Sequence, residues 1–132
     1  MNNQYWLNIA IQAAKENPIE KLPKMAALLV MNSYNEMYLG RNQHKTHPLQ
    51  AKFGRNPQSI FLHAEIDVLV RALIKQNIRI AILNGNYYDK LPNSSIFVAR
   101  VSKNGIPMLA KPCSGCMGAL LHFGIIDIHW TK

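Results

Sequence analysis

The sequence predicts a single α/β domain in which a mixed sheet is sandwiched by helices. Helical and strand patterns alternate along the chain, the first two strands are separated by a short turn, and the later strands follow helices. A short turn makes its strands antiparallel neighbours, whereas a strand that follows a helix is added by a crossover. A length of 132 residues is common for one domain. We therefore expect residues 1–132 to form one domain with one core.

The first part of the chain predicts one helix and then a hairpin of two strands. Apolar residues have helical spacing from Tyr5 to Lys15, and Asn17-Pro18 ends that helix. The continuous apolar run Met25–Met31 has strand length and is typical of a strand covered on both faces. Residues 32–35 are turn-forming, and they lead to a second strand at about 36–42.

The middle of the chain predicts a long loop and then a helix. Residues 43–59 are mostly polar, and a loop of this length in a compact domain is usually functional. The next helix begins near Leu62, with a face that should pack on the sheet, formed by Ile66, Leu69, Val70, Leu73 and Ile74. Residues 77–83 leave two alternatives open, because the isoleucines alternate as in a strand but could also extend the helix. Residues 84–94 are turn-like.

The last part of the chain predicts two strands separated by a helix. Residues 95–102 form a strand, and a tight turn follows at 103–105. A helix runs from Ser114 to Phe123, with Gly124 as its C-terminal stop. Residues 125–130 form the final strand. This order gives the mixed sheet its opening antiparallel hairpin.

Composition and charge exclude several classes of protein. Hydrophobic residues make up 48% of the chain and charged residues 17%, which is typical of a folded protein. No apolar run approaches the roughly 20 residues of a membrane span, and the N-terminal residues lack a secretory pattern. The two cysteines both belong to one motif, so we expect a cytoplasmic, reducing location. A net charge of +8 indicates an anionic partner, either a nucleotide phosphate or a nucleic-acid backbone.

Two short motifs carry the chemistry of the chain. The first is His63-Ala64-Glu65 and the second is Pro112-Cys113-Ser114-Gly115-Cys116. One imidazole and two thiolates suit Zn²⁺, and three protein ligands leave the fourth tetrahedral position open for water. That water loses a proton near neutral pH and becomes a hydroxide nucleophile. Glu65 can then move the water proton to a ring nitrogen and to leaving ammonia.

Each motif also has a less specific interpretation. A Cys-x-x-Cys pair alone could be a thioredoxin-like redox pair. Pro112, however, precedes the pair instead of lying inside it, and a His-x-Glu motif accompanies it. A structural zinc site usually has four protein ligands, whereas only three candidates are evident here. The pattern therefore favours a catalytic zinc site over both alternatives.

With these motifs the chain resembles the zinc-dependent cytidine/deoxycytidylate deaminase-like superfamily, from about Ala26 to Trp130. The resemblance implies a three-layer α/β/α fold in which each motif opens a helix. It also implies a Zn²⁺ cofactor and a ligand set of His63, Cys113 and Cys116, with Glu65 as the proton shuttle. Relatives often have a further C-terminal strand and helices, which could be lacking here. We expect self-association into a homo-oligomer to cover the exposed edge of the sheet.

Substrate contacts are predicted from position. Asn42 ends the second strand, where relatives often place an asparagine that contacts the sugar or base; the alternative is a residue that caps the loop. The backbone of Ala64 is expected to face the base, unless Ala64 is simply a small helix residue. The loop that precedes His63 is basic, and we expect Lys45 and Arg55 there to contact a phosphate.

The expected activity is hydrolytic deamination of cytosine to uracil in a free nucleoside or nucleotide, such as cytidine, deoxycytidine or dCMP. The alternative is deamination of cytosine or adenine in single-stranded DNA or RNA, with the target base extruded and with binding that weakens steeply with salt. A compact chain has few extra elements with which to bind a polymer, which favours a free nucleoside or nucleotide as the substrate. The basic loop before His63 keeps a nucleic-acid substrate open as the alternative. A binding protein without activity is disfavoured because all four motif residues are present. The preference for cytosine depends on overall resemblance alone.

Overall fold

The computed structural model describes residues 3–31, 36–54, 61–75, 91 and 93–132. Four helices and five strands follow one another in these residues. They are α1 (Asn3–Lys15), β1 (Lys24–Met31), β2 (Glu36–Arg41), α2 (Pro48–Phe53), α3 (Ala64–Lys75), β3 (Ser94–Val101), β4 (Pro107–Met108), α4 (Ser114–His122) and β5 (Asp127–Trp130). The hairpin turn at 32–35, the ambiguous segment 77–83 and the turn-like residues 84–90 and 92 lie outside the described residues.

The five strands form one mixed sheet, as predicted. Strand β1 lies between β2 and β3 and is antiparallel to both. The other edge of β3 pairs with two strands at different points along its length. Arg100 and Val101 pair with β4 in the antiparallel sense, and residues 95–98 pair with β5 in the parallel sense.

The sheet has helices on both faces, which confirms the three-layer fold. The expectation of one core is wrong. Because successive side chains of a strand point to opposite faces, β1 contributes to two separate cores. Leu29 belongs to the core that also contains Ile66 of α3 and Leu120 of α4. Leu28 belongs to the core that contains Ala10 of α1. The continuous apolar run of β1 is thus explained by burial on both faces.

The prediction of a loop throughout residues 43–59 is wrong, because residues 48–53 form helix α2. Pro48 occupies the first turn, where its missing N–H costs nothing. The Nδ1 atom of His47 accepts a hydrogen bond from the N–H of Leu49 at 3.0 Å and caps the helix. Leu49 and Gln50 are buried, so this helix packs against the domain.

Smaller differences concern element ends. Helix α3 begins at Ala64 and not near Leu62, so His63 lies just before it. Ile74, which we expected on the packed face, is 46% exposed because it lies next to the last residue of α3. Strand β4 was not predicted, since two residues are too few to show a strand pattern. None of the helices in the described residues has the length and apolar character needed to cross a membrane.

Candidate active site

His63 is held in place by residues far away in the sequence. Its backbone N–H donates to Oε1 of Gln50 at 3.0 Å, and the Gln50 side chain is 2% exposed. The preceding residue, Leu62, donates its N–H to the carbonyl of Lys45 at 2.8 Å and accepts from the N–H of Gln43 at 3.0 Å. The segment that carries His63 is therefore fixed between the end of β2 and helix α2.

Cys113 and Cys116 are held within a single helical turn. Cys113 is the N-cap of α4, and its Sγ accepts a hydrogen bond from the N–H of Cys116 at 3.4 Å. Cys116 is buried one turn into the helix. The three-residue spacing puts both sulfurs on the same side of the turn. The partial positive charge of the helix N-terminus stabilises a thiolate at this position.

The donor atoms of His63, Cys113 and Cys116 all lie within 4.8 Å of one another. The Nδ1 atom of His63 is 3.2 Å from Sγ of Cys116 and 3.7 Å from Sγ of Cys113. Tetrahedral zinc would separate a nitrogen and a sulfur ligand by about 3.6 Å, given the usual bond lengths. Both the geometry and the soft donor set therefore fit Zn²⁺, and these three residues are placed to hold it.

Protons are distributed unequally among the three donors. Hydrogen bonds with the Cys116 thiol and with His63 lower the pKa of Cys113 to about 3. The pKa of Cys116 is raised, because its thiol is hydrogen-bonded to Cys113 and is buried. The pKa of His63 is raised, mainly by its hydrogen bond with Cys113. Since zinc takes thiolate and neutral imidazole as ligands, metal binding would release protons from this group.

Glu65 lies in the first turn of α3, two residues after His63, and is 3% exposed. Its Oε1 atom is buried and has no hydrogen-bond partner among the described residues. Burial raises the pKa of Glu65 to about 7. A buried acceptor without a partner is costly, so it usually serves a bound group or a reaction. A carboxyl with this pKa can both accept and donate a proton near neutral pH.

A cavity of about 300 Å³ joins these groups, which is the small end of the range for ligand pockets. His63, Glu65 and Cys113 line one part of it. The other lining residues are mostly apolar, with a few polar or charged side chains among them: Leu22, Pro23, Met25, Asn42, Phe61, Leu62, Arg100, Leu109, Ala110 and Lys111. The combination of an apolar wall and a few polar groups suits a flat heteroaromatic ring.

The four predicted substrate-binding residues are placed differently from one another. Asn42 lines the cavity, but its amide is largely used within the protein. Its Oδ1 accepts from the N–H of Met25 at 3.0 Å and from Nδ2 of Asn17 at 2.8 Å, while its Nδ2 donates to the carbonyl of Pro23 at 2.6 Å. The Asn42 side chain thus also links the end of β2 to the segment after α1 and to the start of β1.

The other three predicted contacts are not among the described residues that line the cavity. Ala64 is fully buried at the start of α3. Lys45 is exposed to solvent. Arg55 lies outside the described part of the chain. The basic loop is therefore not shown to border the cavity through the residues that we expected.

Two cationic residues that were not predicted from the sequence, Lys111 and Arg100, line the cavity. Lys111 directly precedes Pro112-Cys113, so its place in the motif was a signal that could have found it. Its Nζ lies 5.9 Å from the centre of the Trp130 ring, a cation–π distance. Arg100 is the one charged residue in the apolar strand β3, and this irregularity was the second available signal.

Comparison with known proteins agrees with this geometry. The sequence model of the family described as the cytidine and deoxycytidylate deaminase zinc-binding region matches residues 1–132. The crystal structure of cytidine deaminase from Mycobacterium tuberculosis is similar at a TM-score of 0.53 and 18% identity, covering 100% of this chain and 86% of that chain. The crystal structure of a glutamate-to-glutamine mutant of the Mycobacterium tuberculosis enzyme is similar at a TM-score of 0.50 and 17% identity. The match covers 95% of this chain and 84% of that chain.

No curated protein sequence matches the chain significantly. Identities of 17% and 18% establish likeness of fold and nothing more. The family assignment depends instead on the match over the whole chain and agrees with the Cys, His and Glu constellation. The chain belongs to the zinc-dependent cytidine and deoxycytidylate deaminase family, and it is a deaminase of the hydrolase class.

Proposed function

We propose that this protein hydrolytically deaminates cytosine to uracil in a free nucleoside or nucleotide. The observation that carries the proposal is the unpartnered, buried carboxylate oxygen of Glu65, in a cavity that also contains His63 and Cys113. A catalytic acid or base must have access to the substrate and a pKa near the working pH, and Glu65 has both features.

In the proposed reaction, His63, Cys113 and Cys116 hold zinc, which when bound activates water for attack near neutral pH. Glu65 accepts a proton from the attacking water and delivers it to N3 of the ring. After a carbon–oxygen bond has formed at C4, Glu65 moves the remaining hydroxyl proton to the exocyclic amino group. The carbon–nitrogen bond then breaks, and ammonia leaves. One water is consumed for each uracil formed.

Asn42 is the predicted substrate contact that the cavity supports best. It lines the cavity, and the hydrogen bonds described above leave one Nδ2 hydrogen for a bound sugar or base. Apolar residues form much of the cavity wall, and such polar contacts are stronger beside an apolar wall than in water. Ala64 and Lys45 are not among the described residues that line the cavity, and Arg55 lies outside the described part of the chain, so its role stays a prediction.

The second candidate is deamination in single-stranded DNA or RNA. It is favoured by the lysines and arginine that lie around the cavity and beside it. An extruded base could enter the cavity while the flanking phosphates contact these cations. This candidate shares the chemistry of the first and differs from it in the partner.

The experiment is a panel of cytidine, deoxycytidine, dCMP, adenosine and single-stranded DNA and RNA, with products identified by mass spectrometry. We expect uracil products from the free cytosine compounds. Glu65→Gln should lower turnover by about 10²- to 10⁴-fold, because it removes the proton carrier. Zinc content should stay at the wild-type level, since Glu65 is outside the cluster of donors.

Glu16→Gln is a matched control, because Glu16 is 61% exposed and is not among the cavity residues. It should retain wild-type turnover. Full activity in Glu65→Gln would remove Glu65 from its role as proton carrier. Turnover of adenosine, or of a single strand alone, would replace the proposed substrate class.

Self-association stays a prediction. Ile126 is 82% exposed and Leu121 is 52% exposed, and both lie near the last strand. Exposed apolar residues that form a contiguous patch often mark a surface that a second chain covers. Sedimentation equilibrium would measure the mass, and a strictly monomeric protein at micromolar concentration would exclude the oligomer.

A further inference from the structure

A second, wider depression of about 730 Å³ adjoins the cavity; we call it the basic groove. Its described lining comes from residues 18–24, residues 100–103 and Met108. Leu22, Pro23 and Arg100 line both the basic groove and the cavity. Arg100 therefore lies where the two spaces meet, and a molecule with its base in the cavity could extend into the groove.

Positive charge dominates the basic groove. Lys21, Lys24, Arg100 and Lys103 line it, against one carboxylate, that of Glu20. None of the ion pairs among the described residues involves these four cations. Lys21 also has a φ of 66°, a left-handed conformation that is uncommon for a residue other than glycine. Because none of these ion pairs neutralises the four cations, a bound anion can do so.

The lining of the basic groove also limits the kind of anion. No aromatic residue is found among the described residues that line it. Proteins that grip single-stranded nucleic acid combine phosphate contacts with aromatic side chains on which the bases stack. The groove offers phosphate contacts without such platforms. Four cations line the groove, and a single monophosphate carries too little charge to neutralise all of them.

We propose that the basic groove binds the polyphosphate chain of a free nucleoside di- or triphosphate whose base occupies the cavity. This proposal rests on the proposed cytosine deaminase function. Arg100 contacts the phosphate nearest to the sugar, and Lys21, Lys24 and Lys103 neutralise the outer phosphates. Arginine is well suited to the inner position because its planar guanidinium can make two hydrogen bonds to one phosphate. Specificity for phosphorylated substrate thus arises from residues 21–24 and 100–103.

The test compares kcat/KM for cytidine, CMP, CDP and CTP, and for the deoxy series, in the wild type and in two variants. Arg100→Gln removes the charge that lines both the groove and the cavity, and the double variant Lys21→Gln/Lys103→Gln removes charge that lines the groove alone. We expect kcat/KM to rise with the number of phosphates in the wild type. The ratio of kcat/KM for CTP to that for cytidine should fall about tenfold in each variant, as expected when a charged hydrogen bond is lost.

Lys75→Gln is the control, because Lys75 ends α3 and is not among the groove residues. It should keep the wild-type ratio. Binding of inorganic tripolyphosphate, measured by calorimetry, gives a readout that does not need catalysis, and it should weaken in both groove variants. The double variant keeps the test valid if Arg100→Gln fails to fold, since Lys21 and Lys103 are exposed.

Equal kcat/KM for cytidine and CTP, unchanged by the variants, would overturn the groove proposal and leave the deaminase function intact. Efficient turnover of a single-stranded oligonucleotide but not of CTP would overturn it in favour of a strand. Tripolyphosphate binding that depends on Lys21 and Lys103, without deamination of any cytosine compound, would support the groove and overturn the proposed function.

Discussion

The two halves of the metal centre are built in different ways. The cysteine half is local: Cys113 caps α4, and the N–H of Cys116 donates to its sulfur three residues away. The histidine half is assembled from distant segments, since His63 is tied to Gln50, thirteen positions earlier, and to the end of β2 through Leu62. A local half depends on one helical turn, whereas the distributed half depends on the packing of several elements.

The largest effect is expected in the cysteine half. Cys116→Ser replaces a soft thiolate by a hydroxyl that zinc binds poorly. Bound zinc, measured by elemental mass spectrometry, should fall from about one per chain to near zero, and deamination should be lost with it. The midpoint of thermal unfolding should also fall, because metal binding contributes to folding free energy.

Ser114→Ala is the matched control for this substitution, since Ser114 is an exposed neighbour at the start of α4. It should keep zinc and activity. A Cys116→Ser protein that retains one tightly bound zinc would mean that Cys116 is not a ligand.

The next largest effect is expected from the packing of β2 against the first turns of α3, the helix that follows His63. A Cβ atom at Gly40 would lie 2.4 Å from the N of Val68 and 2.7 Å from the O of Ala64. Both are backbone atoms of α3, so Gly40→Ala must push the first turns of that helix away from β2. We expect a loss of about 1–3 kcal/mol in the free energy of unfolding and weaker zinc binding. Chemical denaturation and a zinc competition titration would measure the two effects.

A Gly40→Ala protein with wild-type stability and zinc affinity would show that α3 can shift without disturbing His63. The histidine half would then be less dependent on packing than the structure indicates. The contrast with Cys116→Ser is informative here, because the three atoms nearest to the added Cβ belong to Val68 and Ala64, and neither residue is a metal ligand.

The difference between the halves also explains what could be predicted from sequence. The Cys-x-x-Cys spacing and the His-x-Glu motif contain their own geometry, so the zinc cofactor and the fold class were predictable and are confirmed. The contacts of Gln50 and Gly40 depend on tertiary packing, and no local pattern marks them. Helix α2 was missed for the same reason, since six residues with two buried ones look like a loop.

The charged residues near the site could also not be predicted from local sequence patterns. The basic character of residues 41–55 was visible in the sequence, and it drew the substrate prediction to Lys45 and Arg55. Among the described residues, the lysine and arginine that line the cavity are Lys111, from the segment before α4, and Arg100, from β3. Only the sheet topology, which brings β1, β3 and β4 together, shows that residues 21–24 and 100–103 share one groove.

A smaller effect is expected at the hydrogen bond that fixes His63. Gln50→Met keeps the length of the buried side chain but removes the acceptor for the His63 N–H. An unsatisfied buried donor is costly, and loss of a residue that orients a ligand typically weakens metal binding. We expect zinc affinity to fall by about tenfold.

Gln12→Met is the control for this substitution, because Gln12 is exposed on α1. The cobalt-substituted proteins should also differ, with a changed visible absorption spectrum only in Gln50→Met, since the spectrum reports ligand geometry. Wild-type zinc affinity and an unaltered cobalt spectrum in Gln50→Met would show that this contact is incidental to the metal centre.

The smallest effect concerns His47, which caps the helix that carries Gln50. Burial, together with the nearby charge of Lys45, lowers the pKa of His47, and Asp67 opposes this shift. His47 must be neutral for its Nδ1 to accept the hydrogen bond from Leu49. The unfolded chain, with a histidine pKa of about 6.5, therefore binds this proton more readily than the folded protein does. Stability should rise with pH through the window just below about 6.5 and level off above it.

The measurement is chemical denaturation of the wild type and of His47→Asn at pH values from about 5 to about 8, a range that spans the ordinary histidine pKa. Asparagine can cap α2 through its side-chain oxygen but does not titrate, so the difference between the two proteins isolates His47. We expect that difference to stay below about 1 kcal/mol, because one cap of a six-residue helix contributes little. A wild type that loses stability as pH rises through this window, relative to His47→Asn, would contradict the direction of the pKa shift. The hydrogen bond from α2 reaches His63 through Gln50, whereas Cys113 and Cys116 are joined within α4 itself. Cys113 and Cys116 should therefore keep their geometry throughout, and this would separate the two halves without removing a metal ligand.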